Sequence, residues 1–139
     1  MVIDKVLVIA SAIIKNKQGK ALLLQRSEKG SYPGYWQLVE GKLEDGESPT
    51  ETIKREVKEE LGTRIIQTEF NNVFFNEIEA KGSKYLCFRT VFNATITSNK
   101  VTTSDEHTTF GWFDKEDIAN LPLLPGTESI LNKLLGIKT

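Results

Sequence analysis

The sequence predicts an α/β (α+β) domain, an α/β/α sandwich in which a mixed β-sheet lies between helices. Three observations carry this. Apolar, β-rich runs recur along the chain, one sharply bounded helix sits among them at residues 48–62, and an amphipathic helix follows a late Pro/Gly break. A length of 139 residues suits a single domain, taken as residues 1–139. At that size roughly two-thirds of the unfolded surface can be buried, so no disulfide or metal staple is needed.

Each element has a local reason. Residues 6–15 (VLVIASAIIK) and 21–25 (ALLLQ) are strand-like, and the intervening Asn-Lys-Gln-Gly turn chemistry predicts a hairpin. Residues 27–34 (SEKGSYPG) form a polar loop, and residues 35–39 (YWQLV) a short buried strand. A loop with two glycines spans residues 41–47. Ser48 then serves as an N-cap, Pro49 occupies the first helical position where its missing N–H costs nothing, and Glu51 completes a capping box. Gly62 is the stop. Ile53, Val57 and Leu61 recur every four residues as the buried stripe. Residues 65–79 and 85–96 read as strands joined by a turn at Lys81-Gly82-Ser83, and residues 109–113 (TFGWF) as another. Asp114 caps a short helix through Asn120. Thr127 opens the last helix, with Ile130, Leu131, Leu134 and Leu135 facing inward.

Composition narrows function. Hydrophobic residues are 39% and charged residues 27%, within the globular range. The formal net charge of -1 argues against stable nucleic-acid binding and against an anionic membrane surface. Cys87 is the sole cysteine and His107 the sole histidine, which excludes a disulfide, a CxxC pair and a multi-histidine metal centre. No apolar run is long enough for a transmembrane helix, and acidic Asp4 with the alternation after it argues against a signal peptide. A cytoplasmic setting is expected.

The near-neutral total hides an acidic segment. Between residues 40 and 60 stand Glu40, Glu44, Asp45, Glu47, Glu51, Glu56, Glu59 and Glu60, against Lys42, Lys54, Arg55 and Lys58. On a helix Glu56, Glu59 and Glu60 share a sector of roughly 100° beside the buried stripe. Like charges at i, i+3 and i+4 repel, and the C-terminal half of a helix disfavours anions. Two readings account for them: a solvated face with pairs such as Arg55 with Glu59, or a site for a hard divalent cation.

The segment GKLEDGESPTETIKREVKEELGT, residues 41–63, resembles the signature of the Nudix hydrolase family, MutT type. Gly41, Glu47, Arg55, Glu56, Val57, Glu59, Glu60 and Gly62 match it at the right spacing. A chance match is on the order of 10⁻⁸ per starting position at ordinary residue frequencies. The resemblance extends to the LLLQR strand, Trp36, and the acidic stretch before the WF pair. Thr63 departs from the usual aliphatic residue, and Val39-Glu40 stands where many relatives carry Pro-Gly.

The resemblance implies a pyrophosphohydrolase that cleaves a nucleoside triphosphate, canonical or oxidised, to monophosphate and pyrophosphate by water attack on phosphorus. The cofactor it implies is Mg²⁺, with Mn²⁺ as a substitute, held by Glu56, Glu59, Glu60 and the backbone carbonyl of Glu40. Arg55 and Glu47 would be an orienting pair, and Glu106 (or Asp105) a further acid. Arg26 and Tyr35 are candidates for substrate contact, with Tyr32 beside them. Trp36 and Cys87 read as packing residues and His107 as a surface residue. ADP-ribose, dinucleoside polyphosphates and pterin triphosphates are alternative substrates, and a non-catalytic nucleotide-binding module is the second class. The oligomeric state stays open between monomer and homodimer.

Overall fold

Residues 10–14 and 21–24 are apolar but for Ser11, and strands of that kind need cover above and below and a partner on each side. The computed structural model, which describes residues 3–97, 101 and 107–135, places them accordingly. Side chains of residues 107, 108, 134 and 135 lie outside that description, so the inward placing of Leu134 and Leu135 is not addressed. The expected hairpin does not form. Strand β1 (Lys5–Ile14) and strand β2 (Ala21–Arg26) share only a single bridge, Lys15 with Ala21, and then diverge into different sheets.

In the first sheet β1 lies between β4 (Val39–Lys42), antiparallel to it, and β6 (Ser83–Ile96), parallel to it; β5 (Ile65–Ala80) forms the far edge. In the second, β2 lies between β3 (Trp36–Gln37) and β7 (His107–Phe113). The run YWQLV, expected as one strand, therefore breaks at Leu38 and serves both sheets. Gly41 and Lys42, expected in a loop, extend β4. The β5–β6 turn has positive φ at both Lys81 (54°) and Gly82 (76°), the conformation that suits a two-residue hairpin.

Helix α1 (Pro49–Leu61) forms as its local signals require. The Ser48 side chain accepts from the Glu51 amide at 3.2 Å, Glu51 accepts from the Ser48 amide at 3.1 Å, and Gly62 ends the helix at φ 66°. Its stripe of Ile53, Val57 and Leu61 is fully buried against Ala10, Ala12, Ile14 and Phe92. Each such side chain contributes about 1.5–3 kcal/mol. Helix α2 (Lys115–Ile118) is capped by Asp114, which accepts from the Asp117 amide. Helix α3 (Thr127–Leu135) buries Ile130 and Leu131 against Ile13, Leu23, Leu38 and Val91. Ala12 and Ile13, adjacent on β1, thus point into two different cores, one under α1 and one under α3. The layered α/β/α arrangement follows from that alternation.

Two details bear on the site. Thr63, at an aliphatic position of the signature, is buried with its hydroxyl 3.0 Å from that of Thr97, so the pair satisfies itself. The segment after α2 is tied to β3 by the Trp36 amide donating to Pro122 O and the Leu124 amide to Trp36 O, which seats Leu124 to Gly126 over the first sheet. Among the described residues no helix is long and apolar enough to cross a membrane.

Candidate active site

Arg55 organises the carboxylates. Its Nε donates to Glu47 Oε2 at 2.7 Å and its Nη2 to Glu47 Oε1 at 3.0 Å, a two-pronged pair. Nη1 donates to Glu56 Oε1 at 2.8 Å and to Glu59 Oε2 at 3.2 Å, and Nη2 also reaches the carbonyl of Lys42 on β4. Glu47 is further held by Thr52 Oγ1 and the Glu44 amide. The Arg55 hydrogen bond above all, with the Glu44 amide, lowers the Glu47 carboxyl to about 2. In return the Glu47 bond raises the guanidinium above its ordinary value. Loop and helix are locked together before any ligand arrives.

Glu56 and Glu60, four residues apart on α1, are both buried, whereas Glu59 stands half out in solvent. Burial pushes the Glu56 carboxyl up to about 7, with Arg55 opposing and the charges of Glu60 and Glu59 reinforcing. Its closest neighbour across the gap is Gly41 of β4. A β-carbon there would fall 2.7 Å from Glu56 Cγ and closer still to Cδ and Oε1. Glycine is needed because the carboxylate occupies the place of its side chain.

Alternation along β4 then sets the opposite face. Gly41 pairs with Ala10 and faces α1, while Glu40 pairs with Ser11 and faces away. There Glu40 Oε1 accepts from Ser11 Oγ at 2.9 Å and from Arg89 Nε at 3.2 Å, and Oε2 accepts from Arg89 Nη2 at 3.3 Å. Arg89 is 2% exposed. Burial alone disfavours its charge, but Glu40 outweighs burial and raises the guanidinium. This pair floors a cavity of about 760 Å³ whose walls include Leu7, Ile9 and Ile78, with Arg26, Lys29 and Lys81 among its basic residues. The volume is that of a small-molecule site.

A family model for the NUDIX domain matches residues 5–134. The chain belongs to the Nudix family. It is 28% identical over 137 residues to nucleoside triphosphatase NudI of Escherichia coli O139:H28, covering 93% of this chain and 96% of that one. Among solved structures, a MutT Nudix hydrolase from Burkholderia pseudomallei superposes with a TM-score of 0.79 at 27% identity, covering 93% and 98% of the two chains. A MutT protein from Methanosarcina mazei Go1 gives 0.75 at 27% identity, covering 97% and 96%. This Nudix protein is accordingly a hydrolase acting on phosphoric anhydride bonds.

Nudix hydrolases generally use a divalent cation. Among the described residues no three acidic, histidine or cysteine side chains converge as a ready chelate. The donor chemistry nonetheless fits a hard cation: two buried carboxylates, a third beside them, and a glycine gap on the facing strand. Of the other expected residues, Arg26 lines the cavity, donating to Ser31 O at 2.8 Å and Gln37 Oε1 at 2.6 Å. Tyr35 packs edge-on against Tyr32, and it is Tyr32 that lines the cavity, its hydroxyl donating to Glu79 O. Trp36 packs on Phe113, and Cys87 is buried with its thiol pushed up by burial. Glu106 and Asp105 lie outside the described residues, as does the His107 side chain. Sequence reasoning missed the Glu40 side chain, Arg89, Ser11 and Asn76. The available signal was a cationic residue on the same strand face as Cys87 and Val91, two otherwise apolar positions.

Proposed function

We propose that this Nudix hydrolase cleaves a nucleoside triphosphate to the monophosphate and pyrophosphate, with Mg²⁺ or Mn²⁺, by attack of water on phosphorus. The observation that carries the reading is the placement of two chemistries on the two faces of one strand. Gly41 meets the buried Glu56 on one face, and Glu40 floors a cavity on the other. Likeness to a relative called nucleoside triphosphatase supports the substrate class.

Glu56, Glu59, Glu60 and the Glu40 carbonyl would hold the cation, which when bound neutralises phosphate charge and acidifies water. Arg55, fixed by Glu47, holds Glu56 and Glu59 in place and keeps their mutual repulsion in check. Glu56 would either lend an oxygen to the cation or take the proton from the attacking water. Arg26, Lys29, Lys42 and Lys81 supply positive charge around the cavity for a polyphosphate. Glu106, or Asp105 beside it, would be the further acid that the family resemblance implies. Full retention of Glu47, Arg55, Glu56, Glu59 and Glu60 supports an enzyme over a module that only binds nucleotide. The near-neutral chain favours free nucleotides over nucleic acid.

The test is a panel of canonical and oxidised nucleoside triphosphates, ADP-ribose, dinucleoside polyphosphates and pterin triphosphate, with product analysis in Mg²⁺ and in EDTA. Pyrophosphate release from a triphosphate in Mg²⁺, with silence in EDTA, is expected. Cleavage confined to the other substrates would reassign the substrate, and equal rates in EDTA would remove the metal.

A further inference from the structure

Strand β4 is an edge strand of four residues, paired only with β1 within its sheet and weakened further by a glycine. Four polar side chains cross the cavity face of the sheet, one from each strand. Glu40 of β4 binds Ser11 of β1 and Arg89 of β6, and Arg89 Nη1 donates to Asn76 Oδ1 of β5 at 2.6 Å. The row ties one edge of the sheet to the other, and the Arg89–Glu40 pair reaches directly across β1, whose Ser11 joins it through Glu40. Gly126 closes it from above: a β-carbon there would lie 2.6 Å from Arg89 Nη1 and 2.5 Å from Asn76 Oδ1. The guanidinium is thus fixed at both ends. Stability alone does not account for a buried ion pair, since apolar side chains of similar size commonly do as well.

We propose that Arg89 is a positioning residue: through the Glu40 carboxylate it fixes the Glu40–Gly41 peptide against Glu56. The Glu40 carbonyl and the glycine surface are then presented to the helix carboxylates in one arrangement, although the strand that carries them is short and at an edge. Arg89 acts from the cavity face on chemistry at the opposite face. This rests on the proposed role of the Glu40 carbonyl and helix glutamates in holding a cation.

The test replaces the pair together, Glu40→Leu with Arg89→Met, because removing one partner alone strands a buried charge. Mn²⁺ alone is titrated into wild type and variant by calorimetry, and melting temperature and hydrolysis are measured beside it. The expected result is a folded protein with a melting temperature close to wild type, Mn²⁺ affinity reduced about tenfold, and kcat reduced more than KM is raised. Arg89→Lys, which keeps the charge but cannot grip Glu40 and Asn76 together, should bind Mn²⁺ between the two; it also serves if the double variant does not fold. Mn²⁺ affinity within twofold of wild type in either folded variant overturns the proposal. Wild type that binds Mn²⁺ but cleaves no nucleotide would sink the substrate assignment and leave this binding comparison readable.

Discussion

Gly41→Ala is the sharpest probe of the strand–helix contact. The new methyl carbon would stand 2.7 Å from Glu56 Cγ, with Cδ and Oε1 nearer still. Ordinary carbon contacts lie at about 3.5–4.0 Å, so the Glu56 side chain must retreat by roughly 1 Å. Backbone strain plays no part, because Gly41 is not among the residues with positive φ. Glu56 is buried and held by Arg55 at 2.8 Å, so retreat loosens that bond and pushes against packed surroundings. Overpacking of this kind costs about 1–3 kcal/mol. In a domain of this size that lowers the melting temperature by roughly 3–5 °C per kcal/mol. Activity should fall further, since a displacement near 1 Å costs on the order of 10²-fold. Pyrophosphate release under Mg²⁺ and a circular-dichroism melt measure both. Glu56→Asp draws the carboxylate back by one methylene, so in the double variant the two stability losses should be less than additive, with coupling of about 1 kcal/mol or more. Strict additivity, or a Gly41→Ala protein with wild-type melting and kcat/KM, would refute the contact.

Other perturbations separate the parts. Glu60→Gln should lower kcat by on the order of 10²–10³ while the far-ultraviolet circular dichroism stays unchanged; a loss of helix signal would move Glu60 from chemistry to folding. Glu47 has a folded carboxyl near 2 against an ordinary 4.5, so its contribution is full above about 4.5 and is lost as pH falls from there toward 2. Wild-type melting temperature should therefore drop more steeply across that window than that of Glu47→Gln. Ser48→Ala removes the capping box and should cost about 1 kcal/mol in denaturant unfolding. Glu106→Gln should reduce kcat at least tenfold, and full activity would move the further acid elsewhere.

Helix α1 was legible almost residue by residue because all its signals are local: cap, proline, capping box, period and terminal glycine lie within fifteen positions. The Arg55–Glu47 pair was legible for the same reason, since one turn of loop and two turns of helix bring them together. Strand pairing was not. The turn residues between β1 and β2 mark a reversal, and the Asn16 side chain does bind the Gln18 and Lys20 amides there. Yet the partners of each strand are chosen by distant segments competing for an apolar edge. The Glu40–Arg89 pair joins residues 49 apart in sequence and depends on register across β1, which no local pattern encodes. The cavity shares that origin, with lining from strands of both sheets and from the loop holding Tyr32.

The alternation of β4 constrains how the chain can change length. Val39 and Gly41 face the helix layer while Glu40 and Lys42 line the cavity. Inserting one residue before Glu40 would set its carboxylate against Glu56, and deleting one would set a glycine opposite Arg89. A change of two residues would restore the facing but carry Glu40 and Gly41 two positions along the strand, away from Arg89 and Glu56. The lone residue Leu38 that joins β3 to β4 is therefore more than a connection, because the length of that join decides which chemistry stands on each side of a single peptide plane.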